Sequence, residues 1–438
     1  MAKKLWGGRF KKEIDKDFFE FQKSIQYDYR LARFDIIHSL LHVIALENAK
    51  ILSRPESVKL SLVLQEILQE VREDKFHHSS DSEDIHTEIQ NRVEKKVGKL
   101  AQKLHTLRSR NDQIAFDEKF YCFREARNIV KLFTNLFYSL IHLKNSYKNI
   151  SIVGYTHTQR AQNVIFSDYV DAFFYMFKRD ADRLMEFSEK IVLCIGSGAF
   201  RGTSLTQEYD KAIEKIVRYL DKDEVGVKIN IVENSLEHVS DRDFIIEFLS
   251  ALSIIQMHLS RFAEDMILFS TQEFNFVDLP EEFCTGSSLM PHKKNPDFLE
   301  LVRGYTGRIY GNLMALLTIM KGLPLTYNRD MQLDKEPLFS SVDIVKDELK
   351  IMARFIKGIK LNEKVIKKAL EDESLYTVDL AEYLVKEKKV PFAQAHEITG
   401  KLIRYAEDNR CKIKDMDDSL LKGFSIHLNQ KIIKEVFT

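Results

Sequence analysis

Proline is missing altogether between Pro55 and Pro280, and the whole 438-residue chain holds only seven prolines and sixteen glycines. So few breakers over more than two hundred residues exclude a fold of many short strands and turns and predict long helices. Net charge is missing too. Sixty-six Lys and Arg balance sixty-six Asp and Glu, so no global field draws the chain to nucleic acid or to an anionic membrane, and electrostatic focusing has to be local. The four cysteines, Cys122, Cys194, Cys284 and Cys411, show no paired spacing of the kind that ligates zinc or builds a disulfide framework, which suits a reducing cytoplasm. The first residues, MAKKLWGGRF, lack the apolar core of a signal peptide, and no uninterrupted apolar run reaches the length of a membrane span.

What is present is helical periodicity. Phe244, Phe248, Leu252, Ile255, Leu259, Phe262, Met266 and Phe269 recur at steps of three and four with no Gly or Pro among them, which predicts one helix about 40 Å long. Ile245, Leu249 and Ile254 add apolar surface off that stripe, so several neighbours should bury this helix at the centre of a bundle, possible neighbours including another subunit. A second long helix is predicted from Pro296 to about Met320. Gly304, Gly307 and Gly311 line one side of it and imply that another helix approaches closely there. Polar stretches at 48–59 and 72–84 and turn signals at Asp372–Ser374 and Pro391 divide the chain into an N-terminal helical domain (1–107), a central long-helix domain (108–361) and a C-terminal helical domain (362–438). The expected class is all-α.

Phe283 to Asp297, FCTGSSLMPHKKNPD, interrupts this scaffold. Pro280, Pro291 and Pro296 fall in or beside it, so it cannot be helical throughout. It offers the hydroxyls of Ser287 and Ser288 and then His292, Lys293 and Lys294. Asn295 stands at an expected helix N-cap with Pro296 at the first helical position, an arrangement that welcomes an anion. A solvated basic loop with an ordinary cap fits the same composition. Cys284, beside the loop, reads as a small packing residue.

Further polar clusters recur along the chain. SEDIHTEIQN (Ser82 to Asn91) holds His86 among carboxylates, read as a surface helix start without metal-ligand spacing. HTLRSRNDQ (His105 to Gln113) supplies Arg108, Ser109, Arg110 and Asn111, fork-shaped and amide donors suited to planar carboxylates or, equally, a charged turn. GYTHTQRAQ (Gly154 to Gln162) predicts a Gly-initiated turn presenting Thr156 and His157 ahead of a helix. His is the side chain best suited to trading protons near neutral pH. SDRD (Ser240 to Asp243) and YNRDMQLDKE (Tyr327 to Glu336) complete the set. No phosphate-cradling glycine loop, zinc motif or nucleophile elbow occurs, which suits a small polyanionic substrate handled without metal or organic cofactor.

In sequence these motifs are identifiable. GSSLMPHKKNPD resembles the signature loop of the fumarase/aspartase superfamily of fumarate-releasing lyases, and its two lysines before Asn-Pro are most similar to the argininosuccinate lyase family. LWGGRF (Leu5 to Phe10), SIQYDYRL (Ser24 to Leu31), SEDIH, LHTLRSRNDQ, GYTHTQRAQ, NSLEHVSDRDF and YNRDMQLDKE resemble that family in the same order, and LAEYLVKEKKVPFAQAHEITGKL resembles its C-terminal part. The resemblance implies three all-α domains around a central bundle, a homotetramer whose active sites are shared between subunits, and cleavage of argininosuccinate to fumarate and arginine with no cofactor or metal. It implies Ser287 as the base, His157 as proton donor or organiser with Glu300 as its carboxylate partner, and Lys293 and Asn295 as stabilisers of a dianionic intermediate. Ser109, Arg110, Asn111 and Thr156 would hold the succinyl carboxylates, and Ser24, Asp28, Tyr327, Gln332 and Lys335 the arginine end. The chain departs from the family pattern at His38 and Leu107 (commonly glycine), Asn163 (proline), His292 (glutamine) and Leu333 (glutamate). Adenylosuccinate lyase and a catalytically silent crystallin-like protein are the rival readings.

Overall fold

The computed structural model describes residues 12–437, and the LWGGRF motif lies outside them. Helices dominate, as the all-α expectation requires, and the strands among the described residues form three short pairs. The principal elements are α1 (Ala32–Asn48), α2 (Ile85–Val97), α3 (Arg110–Ser146), strands β1 (Ser151–Thr156) and β2 (Gln159–Ile165), α4 (Phe166–Lys190), α5 (Asp243–Ser270), α6 (Asp297–Met320) and α7 (Lys335–Gly358). The proline-free region folds as its composition demands: α3 alone runs 37 residues, about 55 Å at 1.5 Å per residue.

The described chain forms two compact units. One comprises the chain up to Thr134 with Phe177–Ser260 and Val302–Lys350, and the other comprises Asn135–Met176, Arg261–Leu301 and the chain from Ile351 onward. In the first unit α1 is buried along nearly its whole length, with Phe34 against Phe120 at 5.0 Å and Phe187 stacked on Phe248 at 5.1 Å. In the second, Phe173 meets Phe262 edge-on at 5.1 Å, and Phe269, Phe274 and Phe276 cluster within 6.1 Å of one another.

All eight stripe residues predicted for α5 are buried, and Ile245 and Leu249 off the stripe are buried with them. Length and composition alone would let α5 cross a membrane, but 61% of its most apolar window is buried within the protein, which is how a bundle's core helix reads. The glycine row of α6 turns out differently. Among the described residues nothing lies within 4 Å of a Cβ built on Gly304, Gly307 or Gly311, so no helix of this chain fills that side. Tyr305, Tyr310, Met314 and Leu317 are exposed on the same helix, and Val302, Ile309 and Leu316, seven residues apart, form its buried seam.

The segment around His157 is a β-hairpin and not a turn leading directly into a helix. β1 and β2 pair antiparallel with an irregularity between Val153 and Tyr155. Gly154 sits at that irregularity because a Cβ there would come within 2.9 Å of the Gln162 carbonyl oxygen. His157 and Thr158 form the two-residue tip, with φ of 53° and 59°, the left-handed pair that a tight hairpin turn requires and that side chains other than Gly, Asn and Asp seldom adopt.

Candidate functional site

The second unit carries the loop and the hairpin tip. The loop is held at its neck: Thr285 and Asn295 exchange backbone hydrogen bonds of 3.1 and 2.8 Å, and the Thr285 hydroxyl donates to Asp297. Below the neck, Phe283, Phe298 and Phe355 form a triangle with centroids 5.6 to 6.1 Å apart. The expected cap is therefore displaced. Asn295 spends its backbone on the bridge to Thr285, α6 begins at Asp297, and the Pro296 carbonyl accepts the first helical bond, from Glu300 N–H at 3.1 Å.

Within the loop the Ser287 hydroxyl oxygen accepts the backbone N–H groups of Leu289 and Met290 at 3.3 and 3.0 Å. Donors already aimed at that oxygen stabilise negative charge on it, which is what a serine needs to act as a base. Lys294 is committed to the scaffold through Asp278 at 2.8 Å and the Leu279 carbonyl, while Lys293 and His292 are exposed. His157 and Thr156 are exposed at the hairpin tip, and Glu300 is exposed on the first turn of α6.

The first unit holds a cleft of about 80 Å³ lined by Ser24, Asp28, Asp84, His86, Arg110, Asn111, Ile114, Tyr327, Arg329, Gln332 and Lys335. Seven of these are residues that the resemblance assigns to substrate binding. Ser24 donates to Asp28 at 2.6 Å and the Ile85 N–H to the other oxygen at 3.1 Å. Burial and the neighbouring Asp84 charge nevertheless raise the Asp28 carboxyl to about 6. Asp84 caps α2 through the Thr87 N–H at 2.7 Å and also pairs with Arg110, whose second nitrogen reaches the Thr87 hydroxyl at 3.1 Å. Ser109 caps α3 by accepting from the Asn111 N–H at 3.3 Å. Gln332 donates to the Gln22 carbonyl at 2.9 Å, and Arg108 turns away to Ser39 at 3.1 Å.

His86 corrects the sequence reading. It is buried, not on the surface, and its Nδ1 lies 3.1 Å from Asp35, which also accepts from Gln113 at 2.5 Å. Burial alone would raise the Asp35 carboxyl, but His86 and Arg108 hold it well below the usual range. Asp117, at 3.9 Å from His86, is raised by burial and by the Asp35 charge. Asp35, His86 and Asp117 are also a group whose ligand atoms lie close enough together for a metal ion, all within 4.8 Å. No local spacing in sequence marks this trio, because it is drawn from α1, α2 and α3.

Of the departures, His38 is fully buried and stacks on Phe116 at 4.4 Å. Leu107 takes φ of 61°, a left-handed conformation that accounts for glycine being common at that position. Leu333 and His292 are exposed, and Asn163 pairs with Val153 in the hairpin.

Residues 8–311 match the family model described as Lyase, and residues 375–438 the one described as Argininosuccinate lyase C-terminal. Among solved structures, EDDS lyase in complex with formate superposes with a TM-score of 0.80 at 21% identity, covering 96% of this chain and 82% of that one. The class II fumarase of Schistosoma mansoni gives 0.78 at 16% identity, covering 96% and 93%. The fold is thus that of the fumarase/aspartase class of lyases. The argininosuccinate lyase of Acetivibrio thermocellus is 43% identical over 434 residues, 99% of this chain and 92% of the relative. That of Geotalea daltonii is 44% identical over 436 residues, again 99% and 92%. The chain belongs to the argininosuccinate lyase family.

Proposed function

We propose that this lyase cleaves argininosuccinate to fumarate and L-arginine, without cofactor or metal, in the cytoplasm. The observation that carries the reading is the match to argininosuccinate lyases along 99% of the chain. Removing a proton next to a carboxylate builds a second negative charge there, so the transition state has to meet donors already in place. Ser287, with two backbone N–H groups on its oxygen, takes that proton, and Lys293 and Asn295 bind the dianion. His157, with Glu300 as its partner, protonates or organises the departing guanidino nitrogen. Ser109, Arg110, Asn111 and Thr156 hold the succinyl carboxylates, and Ser24, Asp28, Tyr327, Gln332 and Lys335 the arginine end.

The catalytic groups are assigned to a homotetramer with shared sites. In support, the glycine row and exposed aromatic and aliphatic side chains of α6 form a helix face that no part of this chain covers among the described residues, the kind of surface that a second copy buries.

The test is to supply argininosuccinate and adenylosuccinate separately and follow fumarate in the ultraviolet, with native mass measured alongside. Fumarate from argininosuccinate alone and a four-chain mass are expected. Release from adenylosuccinate alone would assign the rival lyase, and release from neither the silent crystallin-like reading.

A further inference from the structure

Four ionisable side chains form a closed, buried group under the cleft of the first unit. Lys335 is 3% exposed, Arg242 1%, and Glu118 and Asp334 are both 0%. The Lys335 ammonium lies 2.6 Å from Glu118 Oε1 and 2.8 Å from Asp334 Oδ1. Arg242 Nε lies 3.1 Å from the other Glu118 oxygen and pairs with the other Asp334 oxygen. Two cations face two anions, so the group is neutral, and neither carboxylate can be lost without leaving a buried charge unbalanced.

An ammonium has three donors. Asp334 accepts one of those on Lys335 and Glu118 holds the ammonium as an ion pair, and Lys335 also lines the cleft, so at least one donor remains for a ligand there. Asp334 is next to Lys335 in the chain and moves with it. Glu118 stands on α3, a separate helix, and is the group that fixes the ammonium against the rest of the fold.

We infer that Glu118 is a positioning residue for substrate binding: by bridging Lys335 and Arg242 it sets where the Lys335 ammonium meets the ligand. The inference rests on the proposed argininosuccinate cleavage and adds a residue that none of the sequence motifs singled out. The groups facing Glu118 are Lys335, Asp334 and Arg242, with Asp117 and Cys122 on its own helix. Burial and the Asp334 charge raise its carboxyl, against the pull of Lys335 and Arg242.

The experiment is steady-state fumarate release with Glu118→Gln, alone and combined with Lys335→Met, at pH 8. Glu118→Gln keeps the shape but loses the charge and cannot accept from both cations at once. It should raise KM roughly tenfold at pH 8 with kcat within about threefold, the pattern of a lost binding contact. In the Lys335→Met background, Glu118→Gln should add less than about a twofold further change in KM, because the two act through one contact. Glu118→Asp, which keeps the charge on a shorter arm, should raise KM by less than the glutamine variant does with kcat again within about threefold, and it decides the matter should the glutamine variant not fold. No fumarate from the native enzyme would overturn the reaction itself. Native activity with KM unmoved in Glu118→Gln, or the full tenfold effect persisting without Lys335, would overturn only the positioning role.

Discussion

Replacing Ser287 with Ala should lower kcat by roughly 10³-fold, the scale of losing a positioned base, while argininosuccinate binding changes less than about threefold and the assembly stays intact. The geometry separates these outcomes. Among the described residues the Ser287 side chain donates to nothing in the frame of the loop, whose shape is kept by the Thr285–Asn295 bridge, the Asp297 acceptor and the Phe283, Phe298 and Phe355 triangle. The hydroxyl does accept from Leu289 and Met290 N–H, and in the alanine variant those donors face water in an exposed loop at little cost. Rate should therefore fall far more than affinity or melting temperature. Stopped-flow fumarate release, equilibrium binding and a thermal melt on the same preparation check this. A variant with more than a tenth of native kcat would remove Ser287 from the role of base.

The second large effect concerns stability. Glu348 on α7 is 5% exposed, and burial raises its carboxyl to about 8, with only a hydrogen bond from Gln256 opposing the shift. The Gln256 amide nitrogen carries two hydrogens, one of which goes to the Val302 carbonyl at 3.0 Å. The folded carboxyl thus holds its proton more tightly than the unfolded one, whose ordinary value is 4.5. Its contribution to stability is full below about 4.5 and is lost as pH rises toward 8. A shift of that size corresponds to on the order of 3 kcal/mol after allowance for residual solvation. Glu348→Gln, which mimics the neutral acid, should match native stability near pH 5 and exceed it by that amount at pH 8.5. Denaturant melts at the two pH values measure it, and parallel native and variant profiles would show that Glu348 ionises freely.

Long-range helical order was legible because it is written in composition and spacing. The barren proline interval and the α5 stripe translate directly into buried helices, and the punctuated loop at 283–297 could be nothing else. The hairpin was illegible because its strands are short and its alternation is broken at Gly154. The Asn295 cap failed because its pairing partner, Thr285, lies ten residues away across the loop. The environments of His86 and Glu118 were beyond reach for a related reason: their partners Asp35, Asp117, Arg242 and Lys335 come from elements far apart in sequence. The glycines of α6 were read as the mark of a closely approaching helix, and among the described residues nothing lies within 4 Å of a Cβ built on them.

The proposed sharing of each active site between copies, with Ser287 and His157 supplied by different chains, is tested most directly by mixing two inactive variants. Ser287→Ala and His157→Asn chains, dissociated, combined in equal amounts and reassembled, should recover about one quarter of native activity, the share of sites that random assortment provides with both native residues. A mixture as inactive as either parent, with reassembly verified by native mass, would place both residues in sites made by single chains and contradict the shared-site mechanism.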